Sequence, residues 1–185
     1  SYSVTGVQTC ALPISHFDHA ENAAWIKEKY HSKVLIHKDE SEYLEAGNTE
    51  LPGGTNPFSG ILVKYISRFI KSPGSYQSCR SDYSAGEEFD LKEFGLNAYV
   101  LHTPGHTRGS VSVIVNREIA IVGDAMFGVF PGSVFPPFAD DVKLMVDSWG
   151  KLLDTGCYLF LPSHGSADSR QLVMREYIKQ KKLKV

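Results

Sequence analysis

Apolar positions along the chain follow two periods, and the two alternate from segment to segment. Lys33–His37 (KVLIH) is a short, partly β-branched run and predicts a strand. Asp18–Tyr30 spaces Ala20, Ala23, Ala24, Ile26 and Tyr30 as a helical stripe behind an acidic first turn. Asp39–Ala46 reads as a short helix stopped by Gly47. Asn48–Pro57, with Pro52, Gly53, Gly54 and Pro57, predicts a loop. Ile61, Leu62, Tyr65, Ile66, Phe69 and Ile70 then return to helical spacing, on a helix that either packs on the core or covers a site. Strand patterns follow at Ala98–Thr103, Ser110–Val115 and Ile119–Val122, with Asn116-Arg117 able to turn the last two into a hairpin. Asp141–Asp154 predicts a helix with Val142, Met145, Trp149, Leu152 and Leu153 on one face. Tyr158–Pro162 reads as a buried strand and Ser169–Leu183 as a last helix. Strands and helices in this order predict an α/β or α+β layered domain, with no repeat and no linker to a second domain.

Composition narrows the function more than the fold. The chain has 185 residues, 42% hydrophobic and 22% charged, which suits one globular domain with a real core. A formal net charge of −2 argues against a nucleic-acid groove. The basic run Lys179–Lys184 suits the C-terminal end of a helix, where cations complement the dipole. No apolar run is long enough to span a membrane, and Ser1–Ser15 lacks a basic n-region. Cys10, Cys79 and Cys157 form no CxxC pair, so a cysteine zinc site is not expected, and so small a count suits a reducing compartment. The expectation is a cytoplasmic protein with a small-molecule substrate and neither a nucleic-acid nor a membrane partner; the sequence does not indicate an oligomeric state.

The first residues stand apart. Val4–Ile14, within VTGVQTCALPIS, resembles the translation of a common sequencing-library adapter over eleven consecutive residues. Residues 1–15 are therefore expected to be non-native, residues 16–185 to be a partial domain truncated at its beginning, and Cys10 and Ile14 to carry no functional information.

Four loops share one chemistry. His16-Phe17-Asp18-His19, Thr103-Pro104-Gly105-His106, Gly123-Asp124 and Pro162-Ser163-His164-Gly165 each follow or interrupt a strand-like run, and each offers imidazole or carboxylate, the ligands zinc takes in hydrolytic sites. Glycines beside His106, Asp124 and His164 allow tight turns. Phe17 is expected to turn its ring into the core. Phe127, Phe130, Phe135 and Phe138, just after Asp124, either wall an apolar substrate pocket or pack beneath a proline-stiffened loop. Thr107 and Ser110 suit local capping, and His102 suits a strand end satisfied by backbone.

In these motifs the chain resembles the metallo-β-lactamase superfamily. The family pattern is HxHxDH, a His in a PGHT-type loop, a GD and a late His; this sequence supplies HFDH, TPGHTRGS, VGDAMF and LPSHG in that order. The resemblance implies a four-layer αββα sandwich, here missing its first strands, with two metals at the loop ends. One metal would take Asp18, His19 and His164. The other would take His16, His106 and the residue at position 14, which is Ile14 and offers no ligand atom. Asp124 would bridge the two. The implied cofactors are two Zn²⁺, with iron an option. Asp18 and Asp124 would be the catalytic carboxylates, Asp18 relaying a proton to the leaving group. The implied activity is glyoxalase II-like or lactonase-like hydrolysis of a thioester, ester or lactone. The alternatives are a mononuclear iron, persulfide dioxygenase-like oxidoreductase and a catalytically impaired metal-binding fragment.

Overall fold

The structure is a computed structural model and describes residues 9–49, 53–55, 60–61 and 74–183. Two sheets lie face to face. The smaller is parallel throughout, in the order β1 (Thr9–Ala11), β2 (Lys33–His37), β3 (Tyr83–Ala85). The larger is mixed and runs in chain order: β4 (Glu88–Asp90), β5 (Ala98–His102), β6 (Val111–Val115), β7 (Ile119–Gly123), β8 (Leu159–Pro162), β9 (Asp168–Ser169). All its pairings are antiparallel except β7 with β8. Strands β5, β7 and β8 therefore point the same way and deliver their following loops to one edge.

Side-chain alternation along the strands sorts the residues into layers. In β2, Leu35 faces the other sheet and joins Ala85, Val100 and Val111 in the inter-sheet core. Its neighbours Val34 and Ile36 face outward and pack with Ala20, Ala23 and Leu44. These belong to the outer helices α1 (Phe17–Ala20), α2 (Ala23–Tyr30) and α3 (Ser41–Ala46). On the far side, Leu101, Ile114, Ala120 and Val122 pack under α4 (Val142–Asp154) and α5 (Arg170–Lys182), with Met145, Trp149, Leu152 and Val173 fully buried. The result is the αββα sandwich. Asp141 and Ser169 cap α4 and α5 by accepting from the amides of Leu144 and Leu172.

Local chemistry accounts for several boundaries. Asn116 and Arg117 both adopt positive φ (54° and 57°), the backbone a two-residue hairpin between β6 and β7 requires. Gly47 ends α3 in the left-handed region at φ 65°. The single helix expected over Asp18–Tyr30 is instead two, α1 ending at Ala20 and α2 starting at Ala23, with Glu21 and Asn22 between them. Tyr30 is not on the buried stripe. It is 48% exposed and stacks edge-on with Trp25 under the Lys29 ammonium, 4.3 Å from the Trp25 ring centre. The short strands β3, β4 and β9 have too few residues for alternation to register in the sequence. Of the helix expected over Ile61–Ile70, only Ile61, exposed, falls within the described residues. All three cysteines are free, and no described helix is long and apolar enough to cross a membrane. Thr9–Ala11, within the adapter-like stretch, forms β1 and pairs with Lys33–Leu35.

Asp82 clamps this smaller sheet. Its carboxylate accepts from the Val34 amide (2.9 Å) and pairs with Lys27 (2.7 Å) and Lys33 (3.3 Å). Burial works against the charge, but these donors outweigh it and hold the pKa down to about 2 from the ordinary 3.8. A depressed carboxylate pKa stabilises the fold fully above about pH 4, and that stabilisation is lost as pH falls through 2. Asp82→Asn is expected to cost about 1 kcal/mol at pH 7, once solvent screening is allowed for, in urea unfolding. The gap between the two proteins should close as the titration is repeated toward pH 2.

Candidate metal centre

The candidate ligands lie in the loops that follow strands, except Asp18 and His19, which lie in α1. His16 follows β1 and caps α1, its carbonyl accepting from the amides of His19 (3.0 Å) and Ala20 (2.9 Å). That turn places His16, Asp18 and His19 around one point. His106 follows β5 in a loop that passes directly under α4. Gly105 there has φ 130°, and a Cβ at this position would lie 2.2 Å from the Met145 amide nitrogen, so no larger residue fits. Asp124 follows β7. Gly123 beside it has φ 55°, and its missing Cβ leaves room for Pro13. His164 follows β8; its loop is tied to Asp124's by the Ser163 amide donating to the Gly123 carbonyl (3.1 Å). The four loops meet at the edge that the strand directions define.

The donor atoms converge in two groups that share Asp124. Oδ1 of Asp124 lies 3.4 Å from His19 Nε2 and 3.6 Å from His164 Nε2. Asp18 Oδ2 closes that group at 3.1 Å from His164 Nε2 and 3.6 Å from His19 Nε2. Oδ2 of Asp124 lies 3.5 Å from His106 Nε2, which is itself 3.3 Å from His16 Nδ1. Within each group the ligand atoms all lie within 4.8 Å of one another. Two donors on one tetrahedral zinc, bound at roughly 2.0–2.1 Å, are separated by about 3.3–3.4 Å. The observed spacings are those of ligand shells.

Hydrogen bonding supports the same fit. Buried Nε2 of His19 and Oδ1 of Asp124 have no hydrogen-bond partner, a state that costs about 1–3 kcal/mol for each group unless something satisfies it. His106 directs Nδ1 to the Phe138 carbonyl (2.9 Å). That fixes the proton on Nδ1 and leaves the Nε2 lone pair for a cation. Burial, with His106 close by, pushes the His16 pKa down to about 3, and burial lowers that of His106. Both rings are therefore neutral, as ligands must be. Burial opposes a charge on His19, but contact with Asp124 outweighs it and raises that pKa. Burial likewise works against the Asp124 charge, and His19 and His106 more than compensate, so its pKa is lowered. The residues present offer two donor sets suited to a metal ion, with Asp124 common to both.

The two groups differ in access. His16, His106 and Asp124 are buried, whereas Asp18 is exposed and His164 half-buried. A cavity of about 240 Å³ opens over both, walled by Phe17, Phe127, Phe138 and Thr49. Of the phenylalanines expected at a substrate pocket, Phe127 lies there, with its ring 5.0 Å from that of His164. Phe130 is 54% exposed and does not line the cavity. Phe135 packs edge-on against Trp149 in the outer core, because the proline-stiffened loop folds back over α4. Phe17 does not enter the core; α1 carries it outward to the cavity rim. Thr49 gives no sign of its place in the sequence, since it comes from a loop distant from every motif. His102 bonds the Arg108 carbonyl (2.8 Å), and Thr107 and Ser110 bond one another (2.9 Å), so all three act locally. Ile14 is 1% exposed and brings no ligand.

Comparison with known proteins gives a family and a fold. The family model described as "Metallo-beta-lactamase superfamily" matches residues 15–179. The metallo-beta-lactamase fold-containing protein ST1585 of Sulfurisphaera tokodaii is 28% identical over 169 residues, covering 89% of this chain and 62% of its own length. Its crystal structure superposes with a TM-score of 0.67 at 22% identity, over 96% of this chain and 69% of that one. The probable metallo-hydrolase YqgX of Bacillus subtilis is 29% identical over 119 residues, 63% of this chain and 48% of the relative. TTHA1623, solved in a di-iron-bound form, superposes with a TM-score of 0.58 at 24% identity over 90% of this chain and 74% of that one. The chain thus spans about half to two thirds of the length of these curated relatives.

Sharing of Asp124 predicts how metal is lost. In titrations of the metal-free chain against a chromophoric chelator, Asp124→Asn is expected to weaken both metal equivalents by about tenfold or more. His164→Ala is expected to weaken one and spare the other.

Proposed function

The chain belongs to the metallo-β-lactamase superfamily, and from that premise we propose that it is a hydrolase with a binuclear metal site, acting on a small thioester, ester or lactone with an apolar portion. The observation that carries this reading is the shared carboxylate of Asp124, with a set of imidazole donors on each side at ligand-shell spacing. Divalent cations in such a site supply Lewis acidity, polarising a carbonyl and bringing the pKa of water to about 7.

The chain's own groups do the rest. Asp124 fixes the separation of the two sets and accepts a hydrogen bond from the attacking water. Asp18 stands at the exposed mouth with Oδ2 turned to His164; Oδ1 is then the atom that takes up a proton and passes it to the leaving group. Phe17, Phe127 and Phe138 hold the apolar part of the substrate and exclude bulk water from the carbonyl. Nothing in this sequence of steps needs a serine or cysteine nucleophile. A cation in the buried set would be held by His16, His106 and Asp124, since Ile14 offers no ligand atom.

Zinc suits a set of imidazoles and carboxylates. Iron is the second reading, favoured by the di-iron state of TTHA1623, and metal analysis of the purified chain separates the two. The zinc-loaded chain is expected to hydrolyse at least one of a thioester, an aryl ester and a lactone, and to lose that activity on chelation. Asp124→Asn should lower kcat/KM by about 10²-fold or more. Phe127→Ala should raise KM more than it lowers kcat, and only for substrates with an apolar acyl group. Loaded protein inert on all three classes would refute the reading.

A further inference from the structure

Glu40 lies outside every motif, yet it is one of the most deeply buried acids in the chain, at 2% exposure. It ends the 3-10 turn Lys38–Glu40 that follows β2. Its carboxyl group collects donors from two ligand-bearing loops at once. Oε2 accepts from the amide of Ser15 (3.0 Å) and from the Ser15 hydroxyl. Oε1 accepts from the amide of Gly109 (3.2 Å). Ser15 immediately precedes His16, and Gly109 lies three residues after His106. A side chain at 109 has no room: its Cβ would lie 2.4 Å from Glu40 Cγ. Thr49 reinforces the same point by donating to the Ser15 carbonyl (2.6 Å).

We propose that Glu40 is a positioning residue for the buried metal set, holding His16 and His106 at their separation by bonding the backbone beside each. The inference rests on the metal-centre reading above. The chemistry is specific to a carboxylate. Three N–H and O–H donors aim at two oxygens that only accept, and a carboxamide would turn one donor toward another. Glu40 touches neither Asp124 nor His164, and its bonds to Ser15 reach α1 ahead of His16. Asp18 and His19 are carried on the helical turn itself, whose amides bond back to the His16 carbonyl. The effect of Glu40 should therefore be local to one metal.

The test titrates Zn²⁺ into metal-free chain against a chromophoric chelator, in two backgrounds. His164→Ala leaves His16, His106 and Asp124 intact, and His106→Ala leaves Asp18, His19, His164 and Asp124. Glu40→Gln is expected to raise Kd about ten- to hundredfold in the first background and to leave it within about threefold in the second. Ser15→Ala removes one of the three donors and should give a smaller loss with the same asymmetry, which keeps the test available should Glu40→Gln fail to fold. Equal weakening in both backgrounds, or none in either, overturns the role of Glu40 while leaving the metal centre standing. Absence of Zn²⁺ uptake by the unsubstituted chain would overturn both.

Discussion

One buried carboxylate with its two oxygens committed to different neighbours organises this molecule. Asp124 is 7% exposed, and the groups around it are lone-pair donors that would repel one another without a cation or a proton between them. Bringing four imidazoles and a second carboxylate to that point demands backbone from four places in the sequence. The sandwich supplies it: β5, β7 and β8 run parallel, and their loops open on the same edge as the turn that starts α1. Contacts that look merely structural serve the same convergence. Ser148 donates to the Pro104 carbonyl (2.7 Å) and Trp149 to the Ala125 carbonyl (2.6 Å), so one helix fixes the loops of His106 and Asp124 together.

What the sequence disclosed follows from how local each signal is. His16, Asp18, His19, His106, Asp124 and His164 were legible because each sits in a short motif with its own glycine, proline or repeated ligand. Longer strands and helices were legible because five residues at period two, or a dozen at 3.6, outweigh local noise. The break at Glu21 and Asn22 was not, since two polar residues inside an apolar stripe read as part of one helix. Phe17 was expected in the core and lies at the cavity rim, and the choice between pocket and packing for Phe130 and Phe135 stayed open, for a related reason. A phenylalanine's spacing says that it seeks apolar company, whereas which company depends on how its loop folds. Glu40 and Thr49 left no sign at all, because their partners are backbone groups 25 to 69 residues away along the chain.

The adapter-like stretch is instructive in the same terms. Thr9–Ala11 fills the open edge of β2, with the Leu12 amide bonding the Leu35 carbonyl (2.9 Å). The Val111 amide donates to the Pro13 carbonyl (2.9 Å), so this segment also joins the two sheets behind the metal centre. An unpaired strand edge accepts almost any short apolar run, since backbone supplies the bonds and side chains need only be buried; Leu12 and Ile14 are. Edge geometry therefore asks little of side chains, whereas the donor groups need imidazole and carboxylate at particular positions.

That distinction bears on the two metal sets unequally. The buried set is His16, His106 and Asp124, with the His106 ring held by the Phe138 carbonyl. The exposed set is complete in Asp18, His19, His164 and Asp124, and it faces solvent. Desolvation strengthens every electrostatic contact at the first, while the second stays in contact with water through the exposed Asp18. The cavity walled by Phe17 and Phe127 opens over both sets. Access and burial are thus divided between the two groups, and among the described residues Asp124 is the one side chain they share.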